Sequence, residues 1–350
     1  MRIRFALVVF VVLGMLATVA PFAAPAAAEE PVAIGYSCPQ LAGGQMDIQL
    51  SLTFAAGQKG WRVVTSNANG DAQRQNDDID YFISLGVDAI VAVPMDSAAI
   101  CAGIEKATAA GIPFYTIDRS PSGCKINMTV LSDNRQAGQQ SGQAVVDFLT
   151  QKYGEPKGKV LEITGNLGQN VGVLRRDGFH DILDKQANIQ TIQKVGNWQA
   201  DKGQNIVTDV ATANPDLDAI YMHSDFVYMG GTIAALRQLN MLFPRGEKGH
   251  VFLAAVDGGP IGLQAIRDGW ADQASTQPVP DFGIVVNWIE QELNGQPVKE
   301  GEVVQEGALW SPAQIKINAD GTPELFLSTT SATEKNASDP GLWGNKTIAE

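Results

Sequence analysis

The sequence predicts an α/β protein built from two domains, each with a mainly parallel sheet. Ten short apolar runs recur along the chain, and helix-like segments lie between most of them. Continuous apolar strands that alternate with helices are typical of parallel sheets covered on both faces. Ten strands are many for a single sheet at this length, so two domains fit the pattern better. The connections are short and carry Gly, Asn and Pro, which favour turns.

Each element follows from this alternation in chain order. The apolar runs lie at 32–37, 61–66, 88–94, 112–117, 126–132, 158–164, 189–195, 217–223, 250–256 and 271–276. Helices are predicted at 72–85, 97–110, 134–152, 200–213, 226–240 and 280–294. Residues 331–350 lack clear periodicity, and we expect a surface tail there that packs through Leu342 and Trp343.

The N-terminus has the pattern of a secretory signal peptide over residues 1–28. A basic start, MRIR, precedes a short apolar run and an Ala-rich stretch that ends in an A-x-A site at Ala28. The apolar run is a little short for a membrane anchor. Cys38 lacks the Leu that precedes a lipoprotein cysteine by three residues. We therefore expect cleavage near Ala28 and export as a soluble protein.

The charge balance and the cysteines limit the partners and cofactors. Lys and Arg number 25 against 38 Asp and Glu, and the net charge of −13 becomes −15 once Arg2 and Arg4 leave with the signal peptide. Such a surface repels nucleic acid and anionic lipid. In an oxidising compartment, three cysteines without C-x-x-C spacing fit one disulfide and one free thiol. Cys101 and Cys124 follow two strands that we expect to be neighbours, so we predict a disulfide between them.

The sequence carries no motif of the common catalytic or cofactor sites. It lacks the P-loop G-x-x-x-x-G-K-[ST], the zinc-protease H-E-x-x-H and the hydrolase G-x-S-x-G. His180, His223 and His250 have no metal-type spacing, and GNLGQN at 165–170 lacks the G-x-G-x-x-G of dinucleotide sites. We predict no metal, no cofactor and no catalytic residue.

Polar and aromatic residues gather where the predicted strands end. In doubly wound sheets, ligands bind beyond the carboxyl ends of the strands. The mixture suits a sugar, because carboxylates accept from hydroxyls, guanidinium groups donate to oxygens and aromatic rings cover C–H faces. The residues are Asp118, Arg119, Asn170, Arg175, Trp198, Ser224, Asp257 and Gln277.

Each of these positions also has a purely structural interpretation. Asp257 could cap the next helix. Asp118 and Arg119 could form a structural ion pair, and Trp198 could belong to the core. Their common position at strand ends is what favours a binding site.

At these positions the chain resembles the periplasmic sugar-binding proteins of ABC importers, in particular the ribose-binding type. The segments that carry the resemblance are GIPFYTIDRS, SDNRQAGQQSGQ, RRDGF, NPDLDAIYMHSD, AAVDGG and STQPVPDFG. The tail NASDPGLWGN is also similar to an ending common in this group. The resemblance implies that Asp118, Arg119, Arg175, Trp198, Asp257 and Gln277 bind the ligand and that Arg176 is solvated.

The resemblance also implies an architecture of the type I periplasmic binding proteins. Two Rossmann-like lobes are joined by a three-segment hinge, and the ligand lies between them. The expected boundaries are 29–132 plus 278–300 for the N-terminal lobe, 133–277 plus 301–330 for the C-terminal lobe and 331–350 for the tail.

Two departures from the ribose type bear on the ligand. Ser224 and Asp225 stand where the family commonly has Asn-Asp, which loses an amide donor. The loop after the first strand, 37–49, has no aromatic residue where the ribose type has paired Phe. We expect amide groups of Gln40 or Gln45 there instead, in a site that suits a small polyol, an open-chain sugar or a furanose.

The leading interpretation is a monomeric, exported protein that captures a small sugar or polyol and delivers it to an ABC permease in the inner membrane. The alternative is the same scaffold used mainly as a sensor for a chemoreceptor or a sensor kinase. A sugar-processing enzyme ranks last, because no catalytic motif is present.

Overall fold

The structure is a computed structural model that describes residues 30–346. The predicted signal peptide and its cleavage near Ala28 lie outside the described residues. Between residues 30 and 346, no helix is both long and apolar enough to cross a membrane.

Strands and helices alternate along the chain. The strands are β1 (Ala33–Cys38), β2 (Arg62–Asn67), β3 (Ala89–Ala92), β4 (Phe114–Ile117), β5 (Met128–Ser132), β6 (Lys157–Thr164), β7 (Asn188–Val195), β8 (Ala219–Met222), β9 (Phe252–Asp257), β10 (Gln273–Thr276), β11 (Gly301–Val303), β12 (Ala313–Ile317), β13 (Pro323–Leu327) and β14 (Thr330–Ala332). The α-helices are α1 (Gly44–Gln58), α2 (Ala72–Leu85), α3 (Cys101–Ala109), α4 (Asn134–Tyr153), α5 (Asn170–Leu183), α6 (Ala200–Ala213), α7 (Asp225–Gln238), α8 (Pro260–Arg267) and α9 (Val286–Leu293). Short 3₁₀ helices cover Val279–Val285 and Trp343–Asn345.

The strands form two sheets with the same internal order. The first sheet runs β11-β12-β13-β5-β4-β3-β1-β2 and the second runs β14-β10-β9-β8-β6-β7. In both, the first five strands in chain order are parallel and arranged 2-1-3-4-5. This confirms the predicted two α/β units with parallel sheets. We call the part built on the first sheet the N-terminal lobe and the other the C-terminal lobe.

The inner strands of each sheet, such as β3, β4 and β8, are apolar and buried on both faces, whereas the edge strands β2 and β7 are partly exposed. Along a strand, successive side chains point to opposite faces. In β3, Ile90 and Ala92 pack with Phe82 in one apolar cluster, whereas Val91 packs with Tyr115 in another. An unbroken apolar run is therefore the pattern expected of this sheet.

Local capping chemistry sets the bounds of α2, which agree with the predicted 72–85. The Asp71 carboxylate accepts from the backbone N–H groups of Gln73 and Arg74 at the N-terminus. Gly86 ends the helix with a φ of 64°, a left-handed conformation that glycine adopts without a steric penalty.

The chain crosses between the lobes three times, but the third crossing differs from the expected one. It crosses after β5, after β10 and after β13. Residues 301–330 were expected in the C-terminal lobe, whereas β11, β12 and β13 extend the first sheet and Leu325 pairs with Val130. The reason is burial: Leu325 and Leu327 are fully buried in the N-terminal lobe, and β13 covers an edge of β5 that would otherwise be open. Only β14 joins the second sheet.

Two further predictions are confirmed by the packing. Cys101 and Cys124 form a disulfide with their Cα atoms 5.8 Å apart, and Cys38 is a buried free thiol. Leu342 and Trp343 are buried, so the tail packs through these two side chains.

Candidate ligand-binding site

A cavity of about 280 Å³ lies between the lobes, where the carboxyl ends of the strands of both sheets meet. This is the position at which doubly wound sheets bind ligands. Of the predicted ligand residues, those that line the cavity are Gln45, Asp118, Arg119, Arg175, Trp198, Ser224, Asp257 and Gln277. Gln40 lines it as well, so the loop after β1 supplies amide groups to the wall.

Asp118 and Arg119 form the polar wall of the N-terminal lobe. Asp118 follows β4 with a φ of 64°, and such strained backbone positions cluster at functional sites. Gln45 Nε2 donates to Asp118 Oδ2 at 3.1 Å, and Arg119 Nε lies 3.6 Å from the same oxygen. Arg119 Nη1 donates to the Pro94 carbonyl at 3.1 Å. Asp118 therefore keeps Oδ1 for other partners, since no described side chain or backbone N–H donates to it.

Burial shifts the titration of both groups. It raises the pKa of Asp118, and the charges of Arg119 and Arg175 and the Gln45 hydrogen bond oppose that shift. It lowers the pKa of Arg119, and the Asp118 charge opposes this. Each of these two charges therefore stabilises the ionised form of the other in a site that largely excludes water.

Arg175 and Asp257 form the corresponding pair in the C-terminal lobe. Arg175 Nη1 donates to Asp257 Oδ1 at 2.9 Å and also to the His223 carbonyl. Arg175 Nε donates to Asn134 Oδ1 at 2.8 Å. Asn134 begins α4, directly after the first crossing between the lobes. The guanidinium is therefore held by three elements in one orientation.

Ser224, and not Asp257, is the helix cap in this region. The Ser224 hydroxyl accepts from the Val227 N–H at 3.2 Å at the start of α7 and donates to Asp257 Oδ2 at 2.5 Å. The N-cap of α8 is Gly259, which has no side chain to accept a bond. Asp257 has a φ of 101° and faces the cavity, so the capping interpretation does not describe it.

Trp198 supplies an aromatic wall. Its Nε1 donates to Gln169 Oε1 at 2.6 Å, and the Arg175 guanidinium lies 5.7 Å from the ring centroid. The ring packs directly on Gly165, where a Cβ atom would come within 1.9 Å of it. Glycine at 165 is therefore required for this ring position.

Three buried polar atoms of the lining have no hydrogen-bond partner within residues 30–346. They are Gln45 Oε1, Arg119 Nε and Gln277 Oε1. Buried polar atoms in folded proteins are nearly always paired. The cavity thus offers acceptors and a donor that suit a hydroxylated molecule.

Asn170 lies outside the cavity and joins the two lobes instead. Its Nδ2 donates to Ser120 Oγ at 2.9 Å, and its Oδ1 accepts from the Ser120 N–H at 3.2 Å. Its own N–H donates to Ser97 Oγ at 3.1 Å. The neighbouring Gln169 donates from Nε2 to the Met95 carbonyl at 2.8 Å. The structure is therefore in a closed arrangement of the lobes.

The aromatic residues Phe226 and Trp343 also line the cavity and were not predicted as site residues. Their rings stack with centroids 4.9 Å apart. The 37–49 loop does lack an aromatic residue, but this wall of the site is still aromatic. In the sequence, the apolar residues Leu342 and Trp343 indicated that the tail packs through them, but they did not indicate that Trp343 lies at the cavity.

No metal site is apparent in the part of the chain that the structure describes. None of its groups of His, Cys, Asp and Glu has the geometry to hold a metal ion.

Comparison with known proteins decides the family. Residues 34–297 match the model of the periplasmic binding protein domain. The chain belongs to this family. The fold agrees with that assignment. The solved structure of an ABC transporter solute-binding protein from Bacillus halodurans C-125 superposes on this chain with a TM-score of 0.75. That structure is 20% identical, and the match covers 90% of this chain and 99% of the other.

Two curated relatives of this periplasmic binding protein carry ligand names. The ribose import binding protein of Bacillus subtilis (strain 168) is 30% identical over 61% of this chain and 65% of its own length. The D-apiose import binding protein of Paraburkholderia graminis is 27% identical over 50% of this chain and 55% of its own length. The chain thus matches somewhat less than two thirds of each relative.

Behind the cavity of this periplasmic binding protein, Glu162 is buried between two histidines. His223 Nδ1 accepts from the Gly165 N–H at 3.2 Å, so its Nε2 carries the proton and donates to Glu162 Oε1 at 3.0 Å. Burial lowers the pKa of His223. His180 Nε2 lies 3.1 Å from Glu162 Oε2 and its Nδ1 lies 2.8 Å from Asp184 Oδ1.

These contacts shift the pKa values of His180 and Glu162 in opposite directions. The hydrogen bond to Glu162, and secondarily the one to Asp184, raises the pKa of His180 to about 9. Burial works against ionisation of Glu162, but hydrogen bonds from His180, His223 and Gln193 together bring its pKa to about 2. His180 is therefore a cation and Glu162 an anion near neutral pH.

We expect His180 to make stability fall at alkaline pH. Its folded pKa of about 9 exceeds the usual 6.5, so its contribution is fully present below pH 6.5 and is lost as pH rises through 9. The full shift corresponds to about 3 kcal/mol, and because the His180 side chain is 27% exposed, solvent screening should reduce the measured loss to about 2 kcal/mol. Urea unfolding of the wild type and His180→Gln at pH 6 and pH 9.5 measures it. The difference between the two proteins should shrink at high pH. A constant difference would contradict the assignment.

Proposed function

We propose that this chain is an exported binding protein that captures a small neutral sugar or polyol between its lobes and delivers it to an ABC permease. The observation that carries the proposal is the cavity between the lobes, which has a carboxylate–guanidinium pair from each lobe and three unpaired buried polar atoms. Carboxylates that accept from hydroxyls and guanidinium groups that donate to oxygens are what a sugar requires.

The balance of charge in the lining favours a neutral ligand. Asp118 and Asp257 are matched by Arg119 and Arg175, and the other lining residues are uncharged. A charged ligand would bring an unbalanced charge into a site with little solvent, which is costly. The volume of about 280 Å³ lies just below the roughly 300–1,000 Å³ typical of ligand pockets. This favours a monosaccharide or small polyol over an oligosaccharide.

The relatives support the same ligand class. The two curated relatives are named for import of ribose and of D-apiose, and the solved structure from Bacillus halodurans contains bound myo-inositol. The family also supports a binding role over catalysis and a periplasmic location. We extend these properties to this chain as part of the proposal, together with the permease as partner and a monomeric state.

A ligand screen tests the proposal. Thermal shift over pentoses, hexoses and polyols should reveal one or a few stabilising compounds, because stabilisation grows with the logarithm of ligand excess over Kd. Calorimetric titration then gives the affinity. The bound compound should be recovered unchanged after release, whereas conversion to a product would favour an enzyme. No stabilisation by any of these compounds would overturn the proposed ligand class.

We expect ligand binding to favour the closed arrangement of the lobes. Both lobes contribute lining residues, and Asn170 joins them through Ser120 and Ser97. Closure around a ligand is a known hinge motion. Small-angle scattering should show a smaller radius of gyration at saturating ligand than without it. Asn170→Ala, which leaves the cavity lining intact, should bind more weakly with the same ligand preference. An equal radius in both states would refute ligand-driven closure.

A further inference from the structure

The C-terminal tail is anchored on the C-terminal lobe. Strand β14 pairs with β10, and Leu342 is buried in the apolar core of that lobe. Arg267 Nη1 donates to the Ala337 carbonyl at 2.9 Å and to Asn345 Oδ1 at 3.0 Å. The Gly344 N–H donates to the Gly258 carbonyl at 3.0 Å. The tail up to residue 345 is thus fixed to one lobe on both sides of Trp343.

The Trp343 side chain reaches across to the N-terminal lobe. Its Nε1 donates to Asp47 Oδ2 at 2.9 Å, and Asp47 lies in the first turn of α1. The ring lies against Gly44, where a Cβ atom would come within 2.8 Å of it. On the C-terminal lobe the same ring stacks on Phe226. One side chain therefore contacts both lobes and also lines the cavity.

The backbone on both sides is adapted to this aromatic stack. Phe226 packs on Gly259, where a Cβ atom would lie 2.1 Å from the ring. Gly344 passes against the backbone of Gly258 and Gly259, leaving no room for a side chain. Glycines at 44, 259 and 344 thus let the two rings sit close to the cavity. Side chains at these positions would displace the stack.

We propose that Trp343 is a ligand-contact residue and a clasp between the lobes. It supplies the apolar face that the 37–49 loop lacks, and aromatic faces cover the C–H side of sugars. Its N–H is occupied by Asp47, so the indole acts on the ligand as a surface and not as a donor. Because it contacts both lobes in the closed arrangement, its loss weakens binding chiefly by speeding release. The inference rests on the proposed capture of a small neutral sugar or polyol.

Titration of three variants with the compound found in the screen tests the inference. Trp343→Ala should weaken affinity by about tenfold or more, with most of the change in the dissociation rate. Trp343→Phe keeps a ring but loses the bond to Asp47, so its affinity should fall less while release still quickens. The control is Trp61→Phe, since Trp61 packs at the N-terminal lobe core away from the cavity. Its affinity should match the wild type.

Melting curves without ligand separate folding from binding. Trp343 is buried, so Trp343→Ala should melt below the wild type. A variant that is still folded at the titration temperature and binds more weakly supports the inference. If Trp343→Ala fails to fold, Trp343→Phe tests the inference in its place, because it keeps an aromatic ring in the stack. Wild-type affinity and release rate in Trp343→Phe would then overturn the clasp. Equal binding by wild type and Trp343→Ala overturns the inference while the proposed function stands, whereas failure of the wild type to bind any compound overturns both.

Discussion

Asp118→Asn should weaken ligand binding by tenfold to a thousandfold and leave the ligand-free fold nearly as stable as before. The substitution keeps the shape of the side chain but removes its charge and turns one acceptor into a donor group. Hydrogen bonds to charged groups contribute roughly 1.5–3 kcal/mol each, and about 1.4 kcal/mol is a factor of ten in affinity. If Asp118 accepts from two ligand hydroxyls, one bond is lost and the other weakens.

The geometry argues against a purely structural role for Asp118. The 3.6 Å between Arg119 Nε and Asp118 Oδ2 is too long for a good hydrogen bond. In the open cleft that we predict for the ligand-free protein, water can solvate the new amide. Calorimetric titration and ligand-free melting curves separate the two roles. If affinity stayed unchanged while the melting temperature fell, Asp118 would be a structural partner of Arg119.

A surface pair in the same lobe provides the control for this substitution. Asp80 pairs with Lys106 at 2.7 Å, and both side chains are about half exposed. Exposed pairs contribute about 0–1 kcal/mol, so Asp80→Asn should change neither affinity nor melting appreciably. The raised pKa of Asp118 adds a pH test. Affinity should decline as pH falls towards that pKa, because the protonated carboxyl loses its charge, and the decline should be absent in Asp118→Asn.

Arg175→Met should abolish measurable binding and also destabilise the protein. Arg175 is 5% exposed and is held by Asp257, Asn134 and the His223 carbonyl. Removing it leaves the Asp257 carboxylate without its cation in a buried site. Breaking a buried ion pair in this way costs about 3–5 kcal/mol. Denaturant unfolding should show this loss, and titration should show no saturable binding.

Arg176 is the matched control, since it follows Arg175 directly in α5. It pairs with the adjacent Asp177, and about a third of each side chain is exposed. Arg176→Met should therefore change stability by less than about 1 kcal/mol and leave affinity intact. Similar losses in both variants would mean that the helix, and not the buried pair, is responsible.

Much of the fold is specified by local patterns. The inner strands follow from unbroken apolar runs, because both of their faces are buried. The bounds of α2 follow from Asp71 and Gly86, which satisfy the helix ends within a few residues. The polar residues that line the cavity could also be predicted, because they directly follow strands and the carboxyl ends of parallel strands meet at one edge of the sheet.

The sequence by itself therefore determined the two α/β lobes, the pairing of Cys101 with Cys124 and most polar residues of the cavity. Only the tertiary structure decided where the distant segments pack. Strands β11 to β13 extend the first sheet because β5 has an edge to cover, Asn170 bonds across the lobes, and Trp343 with Phe226 forms the aromatic wall. No local pattern shows where these residues pack, because their partners lie far apart in the chain.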